Sequence, residues 1–126
     1  MCEARWSARA TVLLIDDEPE MSELVGQWLD LIGAGVVRVG TFEDAVASAK
    51  WLRPRVVLLD ISLGDEDGLE LLPRLRASPE LGQVPIVVFS VHASKRRVAL
   101  DEGAAGFVPK PFEGGDLIET LRPFLA

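Results

Sequence analysis

Five polar residues follow short apolar runs of the sequence, and their types suit chemistry on a phosphoryl group or a metal ion. Asp16 and Asp17 come after the first run, while Asp60, Ser90 and Lys110 follow later ones. Carboxylates bind hard divalent cations, an ammonium pairs with phosphate oxygens, and a hydroxyl can donate a hydrogen bond to one. The set predicts a metal-assisted phosphoryl site, provided that the fold gathers these side chains.

Each of these residues also has an ordinary structural explanation when it is taken alone. The acids before Pro19 make a good helix start, because acidic side chains are favoured near a helix N-terminus and proline suits the first turn. Asp60 could cap a loop, Ser90 could begin a turn, and Lys110 could be a solvated surface charge. The functional interpretation therefore depends on the elements that position the residues.

The apolar runs predict strands. They are short and continuous, which is typical of strands buried on both faces of a parallel sheet. The three clear runs are Thr11–Ile15, Val56–Leu59 and Ile86–Phe89, and weaker candidates lie at Val36–Val39 and Gly106–Val108.

Apolar residues at steps of three and four predict helices in the intervals. Thr41 and Asp44 provide a capping-box signal for one of them, Pro73 should kink another or shift its start, and Trp28 and Trp51 are expected to pack the helices. The helical stripes are Met21, Leu24, Val25, Trp28, Leu29 and Ile32; Phe42, Ala45, Val46 and Ala49; Leu69, Leu72 and Leu75; Val98–Leu100; and Leu117, Ile118, Leu121 and Leu125.

Strands that alternate with helices predict an α/β fold, a five-stranded parallel sheet with helices on both faces. Ligands bind such sheets outside the carboxyl ends of the strands, where Asp16, Asp17 and Asp60 would crowd together. Two unit charges about 4 Å apart repel by about 4 kcal/mol at an effective dielectric of about 20. A raised pKa or a cation must compensate, and Mg²⁺ is the natural ion.

Composition limits the class of protein. The 126 residues suit one domain, and 48% hydrophobic residues are enough to build a core. A formal net charge of −7 argues against sequence-independent binding of nucleic acid. The single cysteine, Cys2, has no disulfide partner, and the sequence has neither a membrane-length apolar run nor a signal peptide, so we expect a cytoplasmic protein.

The motifs resemble the receiver domains of two-component response regulators, including the chemotaxis regulators. The resemblance is carried by the acidic pair after the first strand, by Asp60–Leu69, by Ser90 and by Lys110–Phe112. It covers almost the whole chain, with residues 1–10 as a frayed N-terminal extension and residues 11–126 as the receiver domain. It implies a flavodoxin-like fold with strand order 2-1-3-4-5.

The resemblance also implies roles in phosphoryl transfer. Asp60 would accept a phosphoryl group from a histidine kinase or a histidine phosphotransfer protein, while Lys110 and Ser90 would contact the phosphoryl oxygens. Phe107 matches the aromatic residue that rotates when the Ser90 hydroxyl moves toward the phosphate, although its alternative is a plain core residue. The bond between Lys110 and Pro111 matches one that is usually cis.

By the same resemblance, Mg²⁺ would be bound directly by Asp17, by Asp60 and by the backbone carbonyl of Ser62, with Asp16 acting through a water molecule. Ser62 and His92 would tune how fast water attacks the acyl phosphate. His92 could alternatively carry a phosphoryl group or be a plain surface residue.

The sequence departs from the family pattern at several positions. Gly64 stands where many members have proline, Ser90 replaces the commoner threonine, and Val91, where a smaller residue is usual, would narrow access to Asp60. The interval from Ser90 to Lys110 is slightly shorter than usual, so the fourth helix should be short. This shortening affects the expected readout surface more than the chemistry.

The resulting prediction is a phospho-accepting signalling domain rather than a conventional enzyme, either free-standing or part of a longer regulator. Output would occur through a downstream protein or domain, without direct contact to nucleic acid or membrane, and homodimerisation is left open. The alternatives are a receiver-like interaction module that needs no phosphate, a haloacid-dehalogenase-type enzyme and a nucleotide binder. The adjacent acids Asp16 and Asp17 do not form the Asp-x-Asp that the second requires, and the glycine-rich loop of the third is absent.

Overall fold

A computed structural model describes residues 11–61, 68–110 and 114–125 of the chain. Within them a five-stranded sheet has the order β2-β1-β3-β4-β5, and all four neighbouring pairs are parallel. The predicted fold class and strand order are confirmed. The strands are β1 (Thr11–Ile15), β2 (Gly35–Val39), β3 (Val56–Asp60), β4 (Ile86–Ser90) and β5 (Gly106–Pro109).

Helices cover both faces of this sheet. Buried residues of α1 and α5 pack with one face, and buried residues of α2, α3 and α4 pack with the other. A short 3₁₀ turn at Ala93–Lys95 leads into α4, which is brief as predicted. The helices are α1 (Pro19–Asp30), α2 (Phe42–Leu52), α3 (Gly68–Ala77), α4 (Arg96–Asp101) and α5 (Gly114–Leu125).

Local sequence signals explain where two of the helices begin. The Thr41 hydroxyl accepts a hydrogen bond of 3.1 Å from the Asp44 N–H, which confirms the predicted cap of α2. Pro19 lies at the start of α1, where a missing N–H costs nothing. Pro73 does not set the start of α3, because that helix begins at Gly68 and continues past the proline. Buried leucines on both sides of Pro73 offset the hydrogen bond that the proline removes.

Five apolar residues that the sequence predicts to pack the helices are exposed, including Val98 and Leu100 of α4. Trp51 is 71% exposed, so the prediction that it packs the helices is wrong, whereas Trp28 does pack against the core. Leu24 and Ile32 are also exposed, because α1 buries only the narrower stripe centred on Val25 and Leu29 and ends at Asp30, before Ile32. Their exposure shows that the apolar stripe of α1 is wider than the face it buries.

The start of α3 fits closely against the end of β3. The Gly68 N–H donates a hydrogen bond of 3.2 Å to the Ile61 carbonyl. A Cβ atom on Gly68 would lie 2.2 Å from the Cα of Ile61, closer than two non-bonded carbons can approach. A glycine at this position therefore lets α3 begin directly beside the residue that follows Asp60.

We expect Gly68→Ala to lower the free energy of unfolding by about 2 kcal/mol, because the backbone at Ile61 must move to admit the methyl group. Urea unfolding followed by circular dichroism measures this change. The matched control is Gly26→Ala in the middle of α1, where a Cβ meets nothing within 4 Å. That substitution should instead stabilise the protein, by up to about 1 kcal/mol. Equal effects of the two substitutions would contradict the explanation.

In the part of the chain that the structure describes, no helix combines the length and apolarity needed to cross a bilayer.

Candidate functional site

Two acids meet at the carboxyl edge of the sheet. Ile15 on β1 pairs with Leu59 on β3, so the next residues along these strands, Asp16 and Asp60, lie side by side. Both carboxylates are fully buried. The predicted convergence of acids from the first and third strands is therefore present for this pair. Asp17, in contrast, is exposed.

Lys110 supplies the positive charge of the site. Its Nζ lies 2.8 Å from Oδ2 of Asp60, and its side chain is only 5% exposed. The backbone N–H of Lys110 donates a hydrogen bond of 2.8 Å to the Ser90 carbonyl, which extends the β4–β5 ladder by one residue. The end of the sheet thus fixes the backbone from which Lys110 reaches back to β3.

Asp16 has an unfavourable environment for a charged carboxylate. Burial raises the pKa of Asp16 from 3.8 to about 6, and the neighbouring Asp60 adds to the rise, because its charge repels the carboxylate and only protonated Asp16 can donate a hydrogen bond to it. The hydrogen bond from the Glu18 N–H and the charge of Lys110 oppose the rise. Oδ1 accepts the Glu18 N–H at 2.9 Å, but Oδ2 is buried without a hydrogen-bond partner. A buried carboxylate oxygen without a hydrogen-bond partner needs a proton or a cation to compensate its charge.

The acids near this oxygen could hold a metal ion. One carboxylate oxygen from each of Asp16, Asp17 and Glu18 lies within 4.8 Å of the others. Among the described residues Asp60 does not belong to this group, and its Oδ2 lies 2.8 Å from Nζ of Lys110. All-oxygen donors with a buried oxygen that lacks a partner fit a hard divalent cation such as Mg²⁺. From the sequence, Glu18 is predicted only to belong to the start of a helix.

Arg38 is a further residue at this edge, and sequence reasoning did not identify it as part of the site. Its Nε donates a hydrogen bond of 3.1 Å to the Asp16 carbonyl, and its side chain is exposed. This hydrogen bond connects β2 to the site and helps to fix the backbone of Asp16. Its only sequence signal is an isolated basic residue in an otherwise apolar strand.

The remaining predicted residues lie around β4 and β5. Ser90 is buried, and its hydroxyl accepts a hydrogen bond of 3.0 Å from the His92 N–H, which is the turn-starting arrangement considered above. Phe107 is 6% exposed and packs in the core shared with α2, α3 and α4. Val91 and His92 are exposed. Ser62 and the bond that follows Lys110 lie outside the described residues.

The family model of the response regulator receiver domain matches residues 12–122. Over 116 residues the chain is 36% identical to the probable transcriptional regulatory protein TcrX of Mycobacterium tuberculosis, covering 91% of this chain and 49% of TcrX. It is 33% identical over 117 residues to the nitrate/nitrite response regulator protein NarL of Escherichia coli, covering 90% of this chain and 53% of NarL. The chain thus spans about half the length of the curated relatives it matches.

Solved structures agree with this family. The chemotaxis response regulator CheY4 of Vibrio cholerae superposes with a TM-score of 0.80 at 26% identity, covering 93% of this chain and 99% of CheY4. A putative response regulator of Chloroflexus aurantiacus gives a TM-score of 0.83 at 26% identity, covering 93% of this chain and 98% of that chain. The family model matches residues 12–122, and these structures have the same fold. The chain therefore belongs to the response regulator receiver domain family.

Proposed function

We propose that the chain is the phospho-acceptor switch of a two-component system or phosphorelay, and that Asp60 receives the phosphoryl group from a histidine kinase or a histidine phosphotransfer protein. One observation carries the proposal: the buried ion pair between Asp60 and Lys110 lies beside Asp16, whose Oδ2 has no partner. A core-stabilising ion pair would not need a second buried acid next to it. A site that binds a divalent cation, which in turn compensates the charge of a phosphoryl group, would need one.

The transfer step uses the carboxylate of Asp60 as nucleophile. A carboxylate oxygen attacks the phosphorus of a phosphohistidine, the new O–P bond forms as the N–P bond breaks, and the bonding electron pair returns to the imidazole nitrogen. The product is an acyl phosphate on Asp60 and an unphosphorylated histidine on the donor. Lys110, already 2.8 Å from Asp60, neutralises the charge that accumulates on the phosphoryl oxygens.

Mg²⁺ fits the acidic edge described above. Asp17 and Asp60 would bind it directly together with the Ser62 carbonyl, and Asp16 would act through a water molecule. Glu18 is a further candidate ligand because its carboxylate lies close to those of Asp16 and Asp17. When bound, the ion would neutralise the carboxylates and the negative charge on the phosphoryl oxygens.

The switch that follows would involve residues on β4 and β5. The Ser90 hydroxyl would exchange its hydrogen bond with the His92 N–H for one with a phosphoryl oxygen, and Phe107 would repack in response. Ser62, Val91 and His92 would tune the access of donors and water to Asp60. A downstream protein, or a further domain of a longer regulator, would read the change by direct contact.

This signalling would take place in the cytoplasm, in keeping with a sequence that has a single cysteine. The negative net charge of the sequence supports output through protein contact rather than through binding of nucleic acid by this domain.

Incubation with phosphoramidate and Mg²⁺ is expected to add one labile phosphoryl group, seen as a single increment in the intact mass. Excess chelator should suppress the increment by at least about tenfold, since the clustered carboxylates then repel the donor. Calcium, which prefers longer bonds and more ligands, is the matched control ion and should support less transfer. A folded protein that stays unlabelled with every small donor and with a phosphorylated histidine kinase would favour the phosphate-independent interaction module.

A further inference from the structure

The ring of Phe89 lies beneath the charged end of Lys110. The register pairs Asp60 on β3 with Phe89 on β4, and Phe89 in turn with Val108 on β5. Lys110 begins beyond β5 and reaches Asp60 on β3, so its side chain must cross β4. Its Nζ lies 4.6 Å from the centroid of the Phe89 ring, within the range of a cation–π contact. The ring and the carboxylate therefore hold the same ammonium group.

This contact lies in a place where it should be strong. Phe89 and Asp60 are fully buried, and the Lys110 side chain is 5% exposed. A buried ammonium loses its hydration and needs compensation from its neighbours. The negative face of an aromatic ring offers such compensation, and the contact strengthens when water is excluded. Aliphatic residues at the same position would fill the space without this attraction.

The two partners of Lys110 differ in how they respond to phosphorylation. The carboxylate of Asp60 changes its charge and shape when it becomes an acyl phosphate, whereas the ring of Phe89 changes in neither respect. A long lysine side chain also loses considerable rotamer freedom when it is fixed. A constant partner would keep the ammonium over β4 while its anionic partner changes from a carboxylate to a phosphoryl oxygen.

We propose that Phe89 is a positioning residue for phosphoryl transfer, and that its ring holds the Lys110 ammonium within reach of Asp60 and of the incoming phosphoryl group. The inference rests on the proposed phospho-acceptor function. It assigns to a core phenylalanine a role that burial alone would not give it.

Phenylalanine analogues that differ in ring electrostatics rather than in shape test the role. Mono-, di- and trifluorinated phenylalanine at position 89 progressively remove the negative face of the ring. The initial rate of phosphorylation by phosphoramidate should fall stepwise with each fluorine, to about a tenth of the wild-type rate for the trifluorinated ring and for Phe89→Leu. The same analogues at Phe124, a partly buried residue near the end of α5, are the matched control and should leave the rate unchanged.

A packing control separates the loss of the ring contact from a general loosening of the core. Val87 lies on the same strand and in the same core cluster, two residues before Phe89. We expect Val87→Ala to lower the stability with less than a twofold change in the phosphorylation rate. A rate that depends on the loss of core volume, and not on fluorination, would overturn the positioning role.

An NMR measurement reports the contact without any phosphorylation. Because Nζ of Lys110 lies over the ring, the protons on the adjacent Cε should show an upfield ring-current shift in the wild-type protein, and this shift should be lost in Phe89→Leu. Absence of that shift in wild-type protein would overturn the inference, as would a shift that is present while fluorination leaves the rate unchanged. A wild-type protein that shows the shift but takes no phosphate from any donor would instead overturn the proposed function, and the role of Phe89 with it.

Discussion

The Asp60→Asn protein is expected to take up no phosphoryl group under conditions that label the wild-type protein, with a rate lower by at least about 100-fold. An amide has neither the negative charge nor the basic oxygen that attack on phosphorus requires. The substitution keeps the shape of the side chain and an oxygen that can accept the hydrogen bond from Lys110, so the site should still fold. Intact mass spectrometry with phosphoramidate and Mg²⁺ gives the result directly.

A matched substitution shows that the effect depends on position. Asp44 is an exposed acid near the start of α2, and Asp44→Asn removes the same charge away from the site. Its phosphorylation should be indistinguishable from that of the wild-type protein. Label that persists in Asp60→Asn would contradict Asp60 as the acceptor, and its disappearance in a further His92→Gln substitution would identify the exposed histidine as the carrier.

We expect Asp16→Asn to stabilise the metal-free protein at neutral pH by about 3 kcal/mol, which corresponds to the rise in the pKa of Asp16 from 3.8 to about 6. The raised pKa means that between about pH 4 and pH 6 the folded protein holds a proton that the unfolded chain releases. The stability gained from this proton is present below about pH 4 and is lost as the pH rises through about 6. The amide of Asn at position 16 carries no charge, so the Asp16→Asn protein should not lose this stability as the pH rises.

Urea unfolding in chelator at pH 4.5 and pH 7.5 measures this prediction. The two proteins should differ by only about 1 kcal/mol at the lower pH, which lies just above the ordinary Asp pKa of 3.8, and by about 3 kcal/mol at the higher one. Asp17→Asn is the matched control, because Asp17 is the adjacent acid but is exposed, and it should change the stability by less than about 0.5 kcal/mol. An Asp16→Asn protein that is less stable than wild type at pH 7.5 would contradict the raised pKa.

Adding Mg²⁺ to the same proteins should reduce the difference in stability between them. An ion that binds only the folded state stabilises it in proportion to the logarithm of its concentration over the dissociation constant. We expect Mg²⁺ to stabilise the wild-type protein, whose Asp16 Oδ2 lacks a partner, and to stabilise Asp16→Asn much less. Equal stabilisation of both proteins by Mg²⁺ would contradict a role for Asp16 in the metal site.

The sequence by itself determined the fold class and the strand ends at which the chemistry lies. Continuous apolar runs at β1, β3 and β4 can be buried only between two layers, and helical stripes between them supply those layers. Since parallel strands all end at one edge, the polar residues that follow β1 and β3 had to meet there. Thr41 and Pro19 likewise marked helix starts, because capping depends on neighbouring residues alone.

The tertiary structure alone decided which of two chemically identical neighbours is buried and what else touches the charges. Asp16 lies beside Asp60 while Asp17 faces solvent, because side-chain direction at the end of a strand follows from register and from the turn. For the same reason the pattern could not show that Phe89 lies under Lys110, a contact fixed by the alignment of three strands. Periodicity records which residues avoid water, but register and packing determine which of them meet.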